Sequence, residues 1–177
     1  MKIRLEDTAV LPIRILGDPV LREPAAQVDA ITDEIISLAA AMFRTMYEAP
    51  GIGLAAPQVG VGLRLICVDA GAEAKLSDGL CVVNPRITAA AGEEAGEEGC
   101  LSIPGVTGMV MRATHVTVEG LTLDGEALRA DFEGLPARIF QHEIDHLDGI
   151  LFIDYLPRLK RDLIKRRFRK RTLSQAS

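Results

Sequence analysis

The segment His142-Glu143-Ile144-Asp145-His146 places two imidazoles and a carboxylate within five residues. On a helix of about 3.6 residues per turn the two histidines share one face and can grip a single cation. Glu143 projects beside them, placed to accept a proton from a water at that cation instead of binding the metal itself. Leu135 and Ile139 continue the same face toward the N-terminus, so the imidazoles emerge from an apolar wall. The remaining histidine, His115, opens a strand pattern without an evident partner and reads as structural or solvent-facing.

A catalytic metal site needs a third protein ligand and open positions for water and substrate. Downstream, Gly149 satisfies a His-x-x-Gly-x-x-His continuation, but Phe152 stands where its ligand belongs, and no glutamate follows Glu143. Asp148, Asp154 and Asp162 are poorly placed or lie on a basic segment. The third ligand is therefore expected upstream, with a thiolate the natural candidate. Of the three cysteines, Cys67 and Cys81 sit in apolar runs that read as buried strands, whereas Cys100 lies between Gly99 and Leu101 outside any such run. A Cys-His-His set suits Zn²⁺ or Fe²⁺. Attack on a carbonyl there would create an oxyanion that needs donors fixed in advance. The backbone N–H of Leu101 and the side-chain amide of Gln58 are the candidates.

Several elements must position these groups. Ile35, Ala39, Met42 and Met46 form a stripe that predicts a helix over 33–48, capped by Thr32 or Asp33 and ended by Pro50-Gly51. Residues 51–60, rich in glycine and holding Pro57, are expected to form no regular element. Strands are predicted at 63–69 and 80–88, with a hairpin or exposed loop over 89–99. A hairpin is predicted over 115–132, closed by a two-residue Asp124-Gly125 turn. A second helix should run over 136–148, with Pro136 in its first turn and Gly149 at its end, and a third over 158–171. Helices among short antiparallel strands imply an α+β domain.

Charge is uneven. Residues 158–171 hold nine Lys/Arg and one Asp, a local +8, which leaves −13 on the rest of a chain whose formal net charge is −5. A basic tail on an acidic body suggests a polyanionic partner such as RNA. At 177 residues the chain fits one domain, 1–177, with 158–177 as a basic helix or tail. No apolar run approaches the ~20 residues of a membrane span, and Met1–Asp7 leads into no apolar signal core. With too few cysteines for a disulfide framework, the expectation is a cytoplasmic protein without membrane contact.

Three motifs together resemble the peptide deformylase family of bacterial type. They are Gly51-Ile52-Gly53-Leu54-Ala55-Ala56-Pro57-Gln58, then Glu98-Gly99-Cys100-Leu101-Ser102, then Gln141-His142-Glu143-Ile144-Asp145-His146. The similarity extends over about residues 10–156. It implies an α+β fold with antiparallel sheets packed around a central helix that carries both histidines, plus the basic C-terminal helix. It implies one divalent metal on Cys100, His142 and His146, commonly Fe²⁺, with Zn²⁺, Ni²⁺ or Co²⁺ also accepted. Glu143 would be the base and later the acid that protonates the leaving amine, and Gln58 with the Leu101 N–H would hold the formyl oxygen. Backbone around Gly53 would align the peptide, and Ile52, Leu135, Ile139 and His142 would wall the methionine pocket, with Arg138 an odd charge near its rim. Glu98 and Arg112 resemble an ion pair bracing the cysteine loop. The implied substrates are N-formyl-methionyl nascent peptides, and the basic helix would dock on the ribosome near the exit tunnel. Two competing readings are a metallopeptidase on the same helix, which lacks a downstream ligand, and a non-catalytic ribosome-associated relative. A structural metal normally takes four protein ligands, which disfavours the latter.

Overall fold

The computed structural model describes residues 8–71 and 79–175; Met1–Asp7 lie outside the described residues. Helix α1 spans Asp33–Glu48, with the predicted stripe Ile35, Ala39, Met42 and Met46 buried and Asp33 and Glu34 in its first turn, where acidic groups suit the helix dipole. The strands are β1 (Gly53–Ala55), β2 (Leu65–Val68), β3 (Leu80–Ala91), β4 (Glu94–Gly99), β5 (Thr107–Arg112), β6 (His115–Leu121) and β7 (Ala127–Glu133). Helices α2 (Leu135–Leu147) and α3 (Arg158–Gln175) complete the order. Among the described residues no helix is long and apolar enough to cross a membrane.

Five strands form one antiparallel sheet in the order β1-β2-β3-β6-β7, and β4 and β5 pair separately. Around β2 the large sheet is covered on both faces, which is why Leu65-Ile66-Cys67-Val68 is buried throughout. Leu65, Cys67, Cys81 and Val83 face α1, packing with Ala39, Met42 and Met46. The alternate residues Ile66, Val68 and Val82, with Val116 and Val118, pack against Ala137, Phe140, Ile144 and Leu147 of α2. The period-two side-chain alternation of strands thus feeds two cores. A third core joins Ile103, Val110, Phe152 and Leu156 to Ile164 and Phe168 of α3. Burying those last two side chains contributes about 1.5–3 kcal/mol each to docking the basic helix.

Four local expectations change. Residues 51–60 do contain regular structure: β1 pairs with β2 through Gly53↔Val68, and Ala56–Val59 forms a 3₁₀ turn. Pro57 is harmless there because its missing N–H falls in the first turn, and Gly60 closes the turn at φ 85°. Residues 89–99 split: β3 runs on to Ala91, Gly92 redirects the chain at φ 71°, and β4 pairs with β5 instead of β3. The 115–132 hairpin forms, but Gly125 N donates to Thr122 O and Thr122 N to Glu126 O. That is a longer loop with a left-handed Gly125, in place of a two-residue turn. His115 is solvent-facing as expected, 56% exposed at the start of β6, but it does have partners, Glu133 at 3.2 Å and the Thr114 hydroxyl at 2.9 Å. Strand β5 and the 3₁₀ turns Pro19–Arg22 and Phe152–Tyr155 carry no signal recognised above.

Candidate metal centre

Helix α2 starts with Pro136 in its first turn and presents His142 and His146 on one face, their ring centroids 5.0 Å apart. Cys100 follows β4 directly, in the turn that leads to β5. The strand carries it to the helix: its Sγ lies 3.4 Å from His146 Nε2. One donor atom from each of Cys100, His142 and His146 falls within 4.8 Å of the other two.

The surroundings orient each donor. Glu98 accepts from His142 Nδ1 at 2.9 Å, which leaves Nε2 of that ring for the cluster. Gln58 is buried and held at both ends. Its Oε1 accepts from Ala55 N at 2.9 Å, and its Nε2 donates to Cys100 Sγ at 3.4 Å and Ser102 Oγ at 3.2 Å. Glu143 is 4% exposed, and its Oε2 has no hydrogen-bond partner. Burial pushes its carboxyl up to about 7, Glu98 adding to the rise against the pull of His142 and Arg112. Burial also drives His146 well below the usual imidazole range, helped by the neighbouring His142, so it is held neutral with a lone pair to offer. For His142 burial acts downward, but Cys100 and Glu98 beside it outweigh that and raise it.

Glu98 is the hub beneath the cluster. It accepts from Arg112 Nε at 2.8 Å and Nη2 at 3.0 Å, both side chains being only 4% exposed. Burial alone would raise the Glu98 carboxyl, but the bonds from His142 and Arg112 prevail and hold it at about 2. Arg112 Nη1 continues to Asp145 at 2.5 Å, and Asp145 accepts from the Tyr155 hydroxyl at 2.8 Å. The Glu98–Arg112 pair expected from resemblance is thus present. Asp145, Tyr155 and Ser102 join the network without having been singled out. Asp145 and Ser102 stand within two of the three sequence motifs, which is the signal that could find them; Tyr155 has none.

A cavity of about 710 Å³ opens over the cluster. Gln58, Cys100, Leu101, His142 and Glu143 line it, as do Ile52, Gly53, Leu135, Ile139 and Arg138. His146 lies behind it, 1% exposed. Ile139 is buried, while Ile52 and Leu135 are half-exposed at the mouth. Gly53 is required by a close approach: a Cβ there would stand 2.4 Å from Glu143 Oε1 and 2.9 Å from Ile139 Cγ2.

The donor set fits one divalent cation. A cysteine sulfur and two imidazoles converge, one ring braced by a carboxylate, and the catalytic pattern of three protein ligands leaves further positions open. Arg112, Asp145 and Glu98 remain engaged with one another and with Tyr155, outside the set.

The chain matches the family model described as polypeptide deformylase over residues 10–162. It is 52% identical to the peptide deformylase of Halothermothrix orenii over 155 residues, 88% of this chain and 99% of that protein. The crystal structure of a peptide deformylase from Legionella pneumophila superposes with a TM-score of 0.86 at 43% identity, covering 95% of this chain and 98% of that one. The class I type b peptide deformylase of Acinetobacter baumannii with Met-Ala-Ser bound matches at a TM-score of 0.79 and 41% identity, over 84% of this chain and 99% of that one. With the fold, the Cys-His-His cluster and these likenesses in agreement, the chain belongs to the peptide deformylase family, enzymes that remove the formyl group from the N-terminus of nascent peptides.

Proposed function

We propose that Cys100, His142 and His146 hold the metal and that Glu143, Gln58 and Leu101 carry out deformylation around it. The observation that carries this reading is a partnerless, buried Glu143 carboxyl, raised to about 7, beside three convergent donors. A divalent cation at the cluster supplies Lewis acidity that brings the pKa of a water toward neutrality. Glu143 takes the proton of the attacking water, and a base near neutrality is suited to do so and to give the proton back. The formyl oxygen, as it gains negative charge, is received by the Gln58 amide and the Leu101 N–H. Glu143 then returns the proton to the departing nitrogen as the C–N bond breaks. Formate and a free methionyl N-terminus result, so one water is consumed and the atoms balance.

The peptide lies along the backbone at Gly53, with the methionine side chain against Ile52, Leu135, Ile139 and His142. Their place on the cavity wall supports this, and the Acinetobacter baumannii relative binds Met-Ala-Ser, a peptide that begins with methionine. Fe²⁺ is the cation in the cell, and the same donors accept Zn²⁺, Ni²⁺ or Co²⁺. The chain acts as one domain over 1–177, in the cytoplasm. Helix α3, anchored by Ile164 and Phe168, carries its basic residues to the ribosome near the exit tunnel. The charge of that helix supports this docking, which should weaken steeply with salt.

The decisive variant is Glu143→Ala. It should keep its metal while formate release from formyl-Met peptides falls by about 10³-fold or more. Formate release within tenfold of wild type would remove Glu143 from the role of base.

A further inference from the structure

We propose that Arg138 is a positioning residue for the metal centre, locking the β4–β5 hairpin to α2, and that position 96 is glycine to let it do so. The inference rests on the assignment of Cys100, His142 and His146 as ligands. Those ligands come from two bodies: α2 brings both histidines, and the hairpin brings Cys100 at the end of β4. Something must fix one body against the other.

Arg138 lies one helical turn before His142 and reaches across to the hairpin at three points. Its Nη1 donates to Val110 O of β5 at 2.9 Å and to Glu98 Oε1 at 2.9 Å. Its Nη2 donates to Glu94 O of β4 at 2.7 Å. One planar group therefore ties both strands of the hairpin to the helix. It also supplies a further donor to the carboxylate that orients His142 through Nδ1. Arg112 makes the opposite crossing, from β5 to Asp145 on α2. Removing Arg138 leaves Arg112–Asp145, Glu98–His142 and the Gln141–Ala113 bonds to join the two bodies, takes away the helix's ties to Glu94 O and Val110 O, and leaves Glu98 Oε1 to Arg112 Nε alone. Lysine, a point donor on a flexible stem, cannot meet three acceptors in one plane.

Gly96 provides the independent observation. A Cβ at that position would stand 2.7 Å from Arg138 Cζ, 2.8 Å from Nη2 and 2.9 Å from Nε. A free side-chain tip would swing aside. This one is pinned by two carbonyls and a carboxylate, so it can yield only by breaking those bonds. Gly96 has no positive φ to explain its identity. The space filled by the guanidinium does explain it.

The test is a double-mutant cycle on the full chain loaded with Ni²⁺. The readouts are the rate of Ni²⁺ release to EDTA, the unfolding temperature and the KM and kcat for a formyl-Met peptide. Arg138→Ala should release Ni²⁺ about tenfold faster, the low end of the effect of losing an outer-shell partner. Arg138→Lys should stay within twofold of Arg138→Ala. Gly96→Ala should reproduce most of the acceleration, and Gly96→Ala with Arg138→Ala should be no faster than Arg138→Ala alone. Should Arg138→Ala fail to fold, Arg138→Lys and Gly96→Ala carry the same comparison. A merely structural arginine would lower the unfolding temperature and leave release from the folded protein at the wild-type rate, which would overturn the proposal. So would full additivity of the two substitutions. If the wild-type chain retains no stoichiometric Ni²⁺, the ligand assignment falls and this inference with it. If wild type retains Ni²⁺, His142→Ala loses it and Arg138→Ala behaves as wild type, this inference alone falls.

Discussion

His142 and His146 reach the centre from one turn of α2, four residues apart, whereas Cys100 comes to His146 across 46 residues of chain. The helical half needs only a 3.6-residue period and a face anchored by Ile139, Phe140 and Leu147. The hairpin half buries little apolar surface of its own, since Met109 and Met111 of β5 are exposed. In β4 only Glu98 is buried, and β5 contributes Gly108, Val110 and Arg112 to the interior. Polar contacts hold it: Arg112 to Glu98 and Asp145, and Arg138 to Glu94 O, Val110 O and Glu98. Local periodicity can set one half of a metal site. The other half depends on buried charge in which every member is matched, so damage should fall unequally on the two.

The largest effect is expected at the hub. Arg112→Met removes one partner of a pair in which both side chains are 4% exposed and leaves Glu98 short of its main counter-charge. Breaking a buried pair costs about 3–5 kcal/mol where the remaining charge is left uncompensated; Arg138 still reaches Glu98 Oε1 at 2.9 Å, so the low end of that range is expected. Urea unfolding of the metal-free protein reads this directly. A change under about 1 kcal/mol would mean that the hairpin is held by something other than its ion network.

The same contrast decides what could be read from the residues alone. The bounds of α1 and α2 were legible because apolar stripes, Thr32, Pro136 and Gly149 punctuate them at the expected offsets. The strands over 65–68 and 80–91 showed as apolar runs, although the Ala89-Ala90-Ala91 end of the second, exposed and next to Gly92, reads as loop. The Glu94–Gly99 stretch has no apolar alternation, so neither its strand character nor its pairing with β5 had a periodic signature. Arg138 looked like an intruder in an apolar wall. Its acceptors lie 28, 40 and 44 residues away, and no spacing rule relates a guanidinium to two distant carbonyls and a carboxylate. Cys100 was found by elimination and by resemblance; its approach to the histidines is a product of tertiary packing.

An intermediate effect is expected where the edge strand β1 meets α2. Gly53→Ala would press a Cβ to within 2.4 Å of Glu143 Oε1 and 2.9 Å of Glu143 Cδ. The carboxyl must move by a fraction of an ångström to an ångström, and a misplacement of that order costs about 10²-fold in rate. The expected signature is kcat/KM lowered by about 10²-fold with metal content and the Arg112 network intact. Loss of metal in parallel with activity would show that β1 supports the ligands as well as the base.

The smallest effect lies outside both halves, in the half-exposed pair of Arg22 and Asp154, and it calibrates the buried network. Asp154 accepts from Arg22 Nη1 at 2.6 Å and Nη2 at 3.1 Å, and from Leu151 N at 3.0 Å. Burial alone would raise the Asp154 carboxyl, but these bonds outweigh it and bring it below the ordinary value of 3.8. A carboxyl whose folded pKa is lowered stabilises the fold fully above its unfolded pKa. That stabilisation is lost as pH falls through the lower folded value. Asp154→Asn should therefore cost at most about 1 kcal/mol near neutrality, a partly exposed pair being screened by solvent. The gap between variant and wild type should close as pH drops below about 4. Unfolding midpoints from pH 6 to pH 2 measure it. A gap that stays constant across that range would assign the loss to packing at the 3₁₀ turn. A gap as large as that of Arg112→Met would erase the distinction between a matched buried network and an ordinary surface pair.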